Sequence, residues 1–99
     1  MTKAYWVAHV TVDDPVAYED YRKATAVPFQ KYGARFLARG GRVEVVEGET
    51  RPRCVVIEFE DMETAKACYN SPEYQAALAH AKGAATRDLV IVEENGPAA

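Results

Sequence analysis

Two short runs, Cys54-Val55-Val56-Ile57 and Leu89-Val90-Ile91-Val92, are apolar at every position. Both are rich in β-branched residues, so both read as strands. Successive side chains of a strand point to opposite faces. These strands therefore carry apolar groups on two sides. The run from Ala4 to Val12 has the same character, with Trp6, Ala8, Val10 and Val12 on one face and Tyr5, Val7, His9 and Thr11 on the other. A sheet with one face in water would alternate between apolar and polar positions. This one does not.

The remaining elements follow from local signals. Asp13-Asp14-Pro15 predicts a helix start, with an aspartate cap and proline at the first helical position. Its apolar stripe is Tyr18, Tyr21, Thr25, Phe29 and Tyr32. Pro28 cannot donate to the Ala24 carbonyl, so a kink or break is expected there, and Gly33 is the expected stop. Ala34–Arg39 and Arg42–Glu47 read as extended. Gly40-Gly41 between them is either a tight hairpin or a bulge in one long strand. Gly48–Pro52 reads as a turn and Arg53–Glu60 as the strongest strand. Asp61 caps a short helix to about Tyr69. Ser71-Pro72-Glu73 opens another, with Tyr74, Ala77, Leu78 and Ala81 on one face and Gly83 at its end. Asp88–Glu94 is the last strand.

This order, β-α-β-β-α-β, specifies an α+β ferredoxin-like sandwich: an antiparallel sheet with helices on one face. Helices sheltering one face leave the other bare. Exposing Tyr5, Val7, Val56 and either Val90 or Ile91 would forfeit about 1.5–3 kcal/mol for each large side chain. A second copy of the same sheet is the simplest cover, so a homodimer with sheets packed face to face is expected.

At 99 residues the chain is long enough for one domain, read as residues 1–95 with a tail at 96–99. A net charge of −3 argues against nucleic acid as a partner. The first ten residues do not read as an exported leader, and no window approaches the ~18 apolar residues of a membrane span. Cys54 and Cys68 lack metal-finger or C-x-x-C spacing, so reduced thiols in the cytoplasm are expected. No cofactor, metal or nucleotide site is expected. His9, His80 and Glu58 have no recognised ligand spacing, and Gly40-Gly41 lacks the helix of a phosphate loop.

The candidate site lies on the bare face. Alternation puts His9 and Glu58 there, with Arg35 and Arg39 if no bulge intervenes. In that arrangement His9 is the proton-transfer group and Glu58 orients it. Arg39 clamps a carboxylate, with Arg35 and Tyr5 as further ligand contacts. The plainer reading is an ion-pair network that fixes register across the dimer. The five arginines from Arg35 to Arg53 read as a solvated face with local pairs, not an anion groove. Tyr18, Tyr21, Tyr32, Tyr69, Tyr74 and Phe29 read first as core. A small aromatic-ligand pocket between helices and sheet is the alternative, because buried hydroxyls need partners. Cys54 would act as a nucleophile only with His9 beside it and a depressed pKa.

Tyr5-Trp6, Asp14-Pro15, Lys31-Tyr32-Gly33, Arg39-Gly40-Gly41, Glu47-Gly48, Arg51-Pro52-Arg53, Val56-Ile57-Glu58-Phe59 and Ser71-Pro72-Glu73-Tyr74-Gln75 stand in a characteristic order. With them the chain, over about residues 3–94, resembles the bacterial family catalogued as domain of unknown function 1330. The resemblance implies a dimeric α+β barrel, a fold shared with small monooxygenases and isomerases. It assigns no chemistry, since fold does not imply function. The expectation is a homodimer binding a small polar or aromatic metabolite. The alternatives are a cofactor-independent enzyme for proton transfer or oxygenation and a non-catalytic interaction module.

Overall fold

A computed structural model describes residues 2–96; residues 97–99 of the expected tail lie outside the described residues. The elements run β1 (Ala4–Val12), α1 (Pro15–Ala24), α2 (Ala26–Lys31), β2 (Arg35–Arg39), β3 (Arg53–Phe59), α3 (Met62–Asn70), α4 (Pro72–Ala81) and β4 (Ala85–Glu93). The strands form one antiparallel sheet in the order β2-β3-β1-β4. This is the ferredoxin-like α+β arrangement. No helix among the described residues is long and apolar enough to cross a membrane.

Helices α1, α3 and α4 each begin on a cap that the sequence announces. The Asp14 carboxylate accepts from the backbone of Val16 and Ala17. That of Asp61 accepts from Thr64 at 2.7 Å. Ser71 Oγ accepts from Tyr74 N at 3.1 Å and donates to the Cys68 carbonyl at 2.7 Å, joining α3 to α4. These bonds satisfy donors that a helix end leaves without partners.

The helical layer packs on one face of the sheet. Ala4, Trp6, Ala8 and Val10 of β1 and Ile57 and Phe59 of β3 are buried with Tyr18, Tyr21, Phe29, Ala65, Cys68 and Tyr74. Trp6 is the hub. Its ring centroid lies 5.4 Å from Phe29, 5.2 Å from Phe59, 5.9 Å from Tyr69 and 5.0 Å from Tyr74. Its indole N–H donates to the Ala65 carbonyl at 3.0 Å, so the polar edge of the largest core ring is satisfied.

Two local expectations change. The helical break falls at Thr25, not Pro28. The proline ring meets the carbonyl four residues back, that of Ala24, so the chain opens at the start of the proline's own turn. Thr25 compensates by donating its hydroxyl to the Arg22 carbonyl at 2.7 Å. The second change concerns Arg42–Glu47, which forms no strand, and Gly40-Gly41, which is neither a hairpin nor a bulge. The chain leaves the sheet at Gly40, and residues 41–50 are exposed throughout. The β-bulge lies earlier, between Phe36 and Ala38.

The sheet face away from the helices is bare. Register puts Tyr5, Val7 and His9 of β1 on it, with Cys54, Val56 and Glu58 of β3 and Asp88, Val90 and Val92 of β4. Val90 is 59% exposed and Val92 48%. Ile91 belongs to the covered face, packed against the core.

Candidate functional site

The structure separates the side chains that alternation had grouped. His9 stands opposite Cys54 and Asp88, whereas Glu58 stands opposite Tyr5, four residues along β1. At about 3.4 Å per residue they are roughly 14 Å apart along the sheet, so Glu58 does not orient His9. Instead His9 Nδ1 lies 2.9 Å from Thr50 Oγ1 and 3.2 Å from Cys54 Sγ. Arg51 follows Thr50 and donates from Nε to Asp88 at 2.8 Å. Glu58 accepts from Lys3 Nζ at 3.2 Å and lies 3.9 Å from Arg35, whose side chain is 73% exposed. Tyr5, Arg35 and Glu58 thus gather at one end of the bare face, and His9, Thr50 and Cys54 at the other.

Arg39 is not on that face. The bulge after Phe36 reverses the phase of β2, so that Phe36 and Arg39 both point to the helix side. The Arg39 guanidinium stacks over the Phe36 ring at 3.9 Å. Both side chains line a cleft between the sheet and α1–α2.

This cleft has apolar walls and a cationic rim. Trp6, Phe29, Phe36, Val55 and Ile57 form its apolar walls, and Arg22, Arg39, Arg53 and Arg87 supply four guanidinium groups. Its enclosed volume is about 40 Å³, room for a few waters where one needs about 10–15 Å³. Beyond that the cleft opens outward. No carboxylate lines it among the described residues. Arg22 pairs with Glu19 at 3.2 Å, an exposed contact within α1. Among the described residues, Arg39, Arg53 and Arg87 meet no carboxylate. The Nε atoms of Arg22, Arg53 and Arg87 are buried without a protein acceptor.

The back of the cleft is polar. Tyr21 and Tyr74 share a hydrogen bond of 2.8 Å between hydroxyls. Arg87 donates to both, from Nη2 to Tyr21 at 3.0 Å and from Nη1 to Tyr74 at 3.3 Å. Burial, reinforced by the neighbouring Tyr74, pushes the Tyr21 phenol far above its usual range. Burial also raises Tyr74, against the pull of Arg87. Both phenols therefore keep their protons at neutral pH. The partners that buried tyrosine hydroxyls require are thus each other and one arginine.

The sequence places Arg53 on a solvated face and singles out no role for Arg87; both in fact line the cleft. The signal was present in the phase of each strand. Arg53 alternates with Val55, Ile57 and Phe59, and Arg87 with Leu89 and Ile91. An arginine in register with a buried apolar row is the mark of a charged group turned inward. Of the five arginines read as a solvated face, Arg35 and Arg51 pair on the bare side and Arg39 and Arg53 enter the cleft. Among the described residues no three His, Cys, Asp or Glu side chains converge as metal ligands.

The family model described as Domain of unknown function (DUF1330) matches residues 3–95. No curated protein matches the chain. Several solved structures share its fold. A protein of unknown function from Rhodopseudomonas palustris superposes with a TM-score of 0.76 at 17% identity, covering 97% of this chain and 85% of that one. SnoaB from Streptomyces nogalater, a cofactor-independent oxygenase, gives 0.65 at 13% identity over 97% and 96% of the two chains. A dimeric protein of unknown function and ferredoxin-like fold from Bacteroides fragilis gives 0.62 at 18% identity over 93% and 96%. At these identities the likeness establishes a common fold.

Proposed function

The chain belongs to the family described as Domain of unknown function (DUF1330), and for this member we propose a homodimer whose subunits each bind one small aromatic or polar metabolite between helices and sheet. The observation that carries the ligand half is the cleft itself. Around Ala65 the helical layer closes on the sheet, with Ala4, Ala65, Cys68 and Tyr74 fully buried. Beside Trp6 it stays open, between aromatic walls and polar groups that converge from α1, β2, β3 and β4. An apolar pocket with a few convergent polar groups is the usual form of a small-molecule site.

The dimer half rests on the bare sheet face and is supported by the dimeric state of the ferredoxin-like protein from Bacteroides fragilis. In this reading Tyr5, His9, Arg35 and Glu58 lie where the two sheets meet. Their hydrogen bonds and ion pairs fix the register of one copy on the other.

A second reading, a cofactor-independent enzyme working in the same cleft, is favoured by Tyr21. Tyr21 lines the cleft, and its hydroxyl is held by Arg87 at 3.0 Å and keeps its proton. Such a phenol polarises a ligand oxygen by donating to it.

The test is amide-resonance mapping with a set of single-ring compounds spanning anionic, neutral and cationic forms. At least one compound is expected to shift resonances clustered at Trp6, Phe29 and Phe36. Shifts confined to the bare face, or none with any compound, would remove the cleft as the site.

A further inference from the structure

We propose that the ligand of this cleft is a planar organic acid, its ring against the aromatic wall and its carboxylate held by Arg53 and Arg39. The inference rests on the cleft being the ligand site and adds the charge and shape of what it takes.

The arginines are the reason. The chain as a whole is acidic, with a net charge of −3, yet four arginines converge on one cleft whose lining holds no carboxylate among the described residues, and only Arg22 has an acidic partner, Glu19 on its own helix. Like charges brought together beside apolar walls repel with little screening. Aromatic stacking accounts for two of them only in part. Arg39 lies over Phe36 at 3.9 Å and Arg87 over Tyr21 at 4.9 Å. Stacking engages the flat face of a guanidinium and leaves its N–H edge free to donate. For Arg53 and Arg87 the buried Nε donor has no acceptor from the protein, a costly arrangement for a structure that gains nothing by it. A bound anion supplies the acceptors and the opposite charge together.

The distribution of duties selects a small acid over a polyanion. Arg87 already serves the Tyr21 and Tyr74 hydroxyls, and Arg22 already meets Glu19. Arg39 and Arg53 remain, two forks that suit one carboxylate. They stand on neighbouring strands at the end of β2, and the backbone is shaped for them. Gly40 has φ +70°, and a Cβ there would lie 2.2 Å from Nη1 of Arg53. Only glycine lets the chain pass with that guanidinium in place. Beneath them the walls are ring edges and faces of Trp6, Phe29 and Phe36, which select a flat apolar body.

Trp6 is the only tryptophan and lines the cleft, so its fluorescence reports occupancy. Benzoate and 2-naphthoate are titrated against benzamide and 2-naphthamide, their neutral isosteres, at low ionic strength. At least one carboxylate is expected to bind tenfold or more tightly than its amide, with affinity falling as salt rises. In Arg53→Gln that preference is expected to shrink by about tenfold to a hundredfold, the worth of a charged hydrogen bond. Arg39→Gln, at an exposed position that tolerates change, repeats the test should Arg53→Gln fail to fold. Equal binding of acid and amide overturns the anion while keeping the cleft as the ligand site. Inorganic phosphate binding as tightly as either carboxylate overturns the planar body. No response of Trp6 or of the mapped amides to any probe overturns both the acid and the cleft.

Discussion

Gly40 does two things at once. Its φ of +70° belongs to the left-handed region, and its missing side chain makes room for the Arg53 guanidinium. Gly48 has φ +74° with open space around it. The pair separates backbone strain from the site. Ala at either position should cost about 1–2 kcal/mol of stability through φ alone, read as a similar fall in Tm. Only Gly40→Ala should also displace Arg53, the far end of a flexible side chain, and weaken ligand binding. Loss of binding in both variants, or in neither, would contradict this role for Gly40. Arg87 offers a second contrast. Tyr21 and Tyr74 still satisfy each other when it is removed, and a buried guanidinium without a counter-ion contributes little to stability. Arg87→Met should leave the unfolding free energy within about 1 kcal/mol of the native value while reducing anion binding; a drop of several kcal/mol would make Arg87 a structural residue. Arg87 and Arg53 were legible in the phase of their strands, whereas Arg39 was not. Its face depends on a bulge in Arg35-Phe36-Leu37-Ala38-Arg39, where no glycine or proline marks the irregularity.

Caps and breakers made the elements readable from sequence. Asp14, Asp61 and Ser71 each sit where the helix begins, because an orphaned backbone donor needs an acceptor at that one place. The misreadings have equally local causes. Pro28 announced a break but acts on the carbonyl four residues earlier. Arg42–Glu47 has the β-branched residues of a strand, yet among the described residues it has no partner edge. Strand propensity describes fit to a neighbouring surface, not an intrinsic preference. The caps also set a pH dependence. The Thr64 side chain and backbone hold Asp61 below its ordinary value of 3.8, and Lys31, at 2.8 Å, holds Glu73 below its ordinary 4.5. A carboxylate with a depressed folded pKa stabilises the fold above its unfolded value and ceases to as pH falls through the folded one. The stabilisation is therefore complete above about pH 5 and is lost progressively below pH 4. Melting curves of wild type, Asp61→Asn and Glu73→Gln should differ at pH 7 and converge in acid as both carboxylates take up protons. A gap that stays constant with pH would assign the effect to packing instead.

The whole molecule is a slab, with Cα extents of 44 × 36 × 17 Å. Its thin dimension accommodates one sheet and one layer of helices. Tyr5, Val7, Val56, Val90 and Val92 lie on the side with no second layer. The two-sided apolar pattern of three strands made this visible in the sequence, since it depends only on a period of two and a count of available helices. What the pattern could not convey is that the helix side also stays open, beside Trp6. That opening depends on how four elements pack, and no single segment records it. The bare face is the claim on which the assembly stands, and its direct test is the mass in solution by light scattering across a dilution series. The expected value is about twice the chain's 10.9 kDa down to low micromolar concentration, falling to a folded single chain in Val90→Glu. A wild-type particle of 10.9 kDa at every concentration, folded and soluble with its sheet in water, would contradict it.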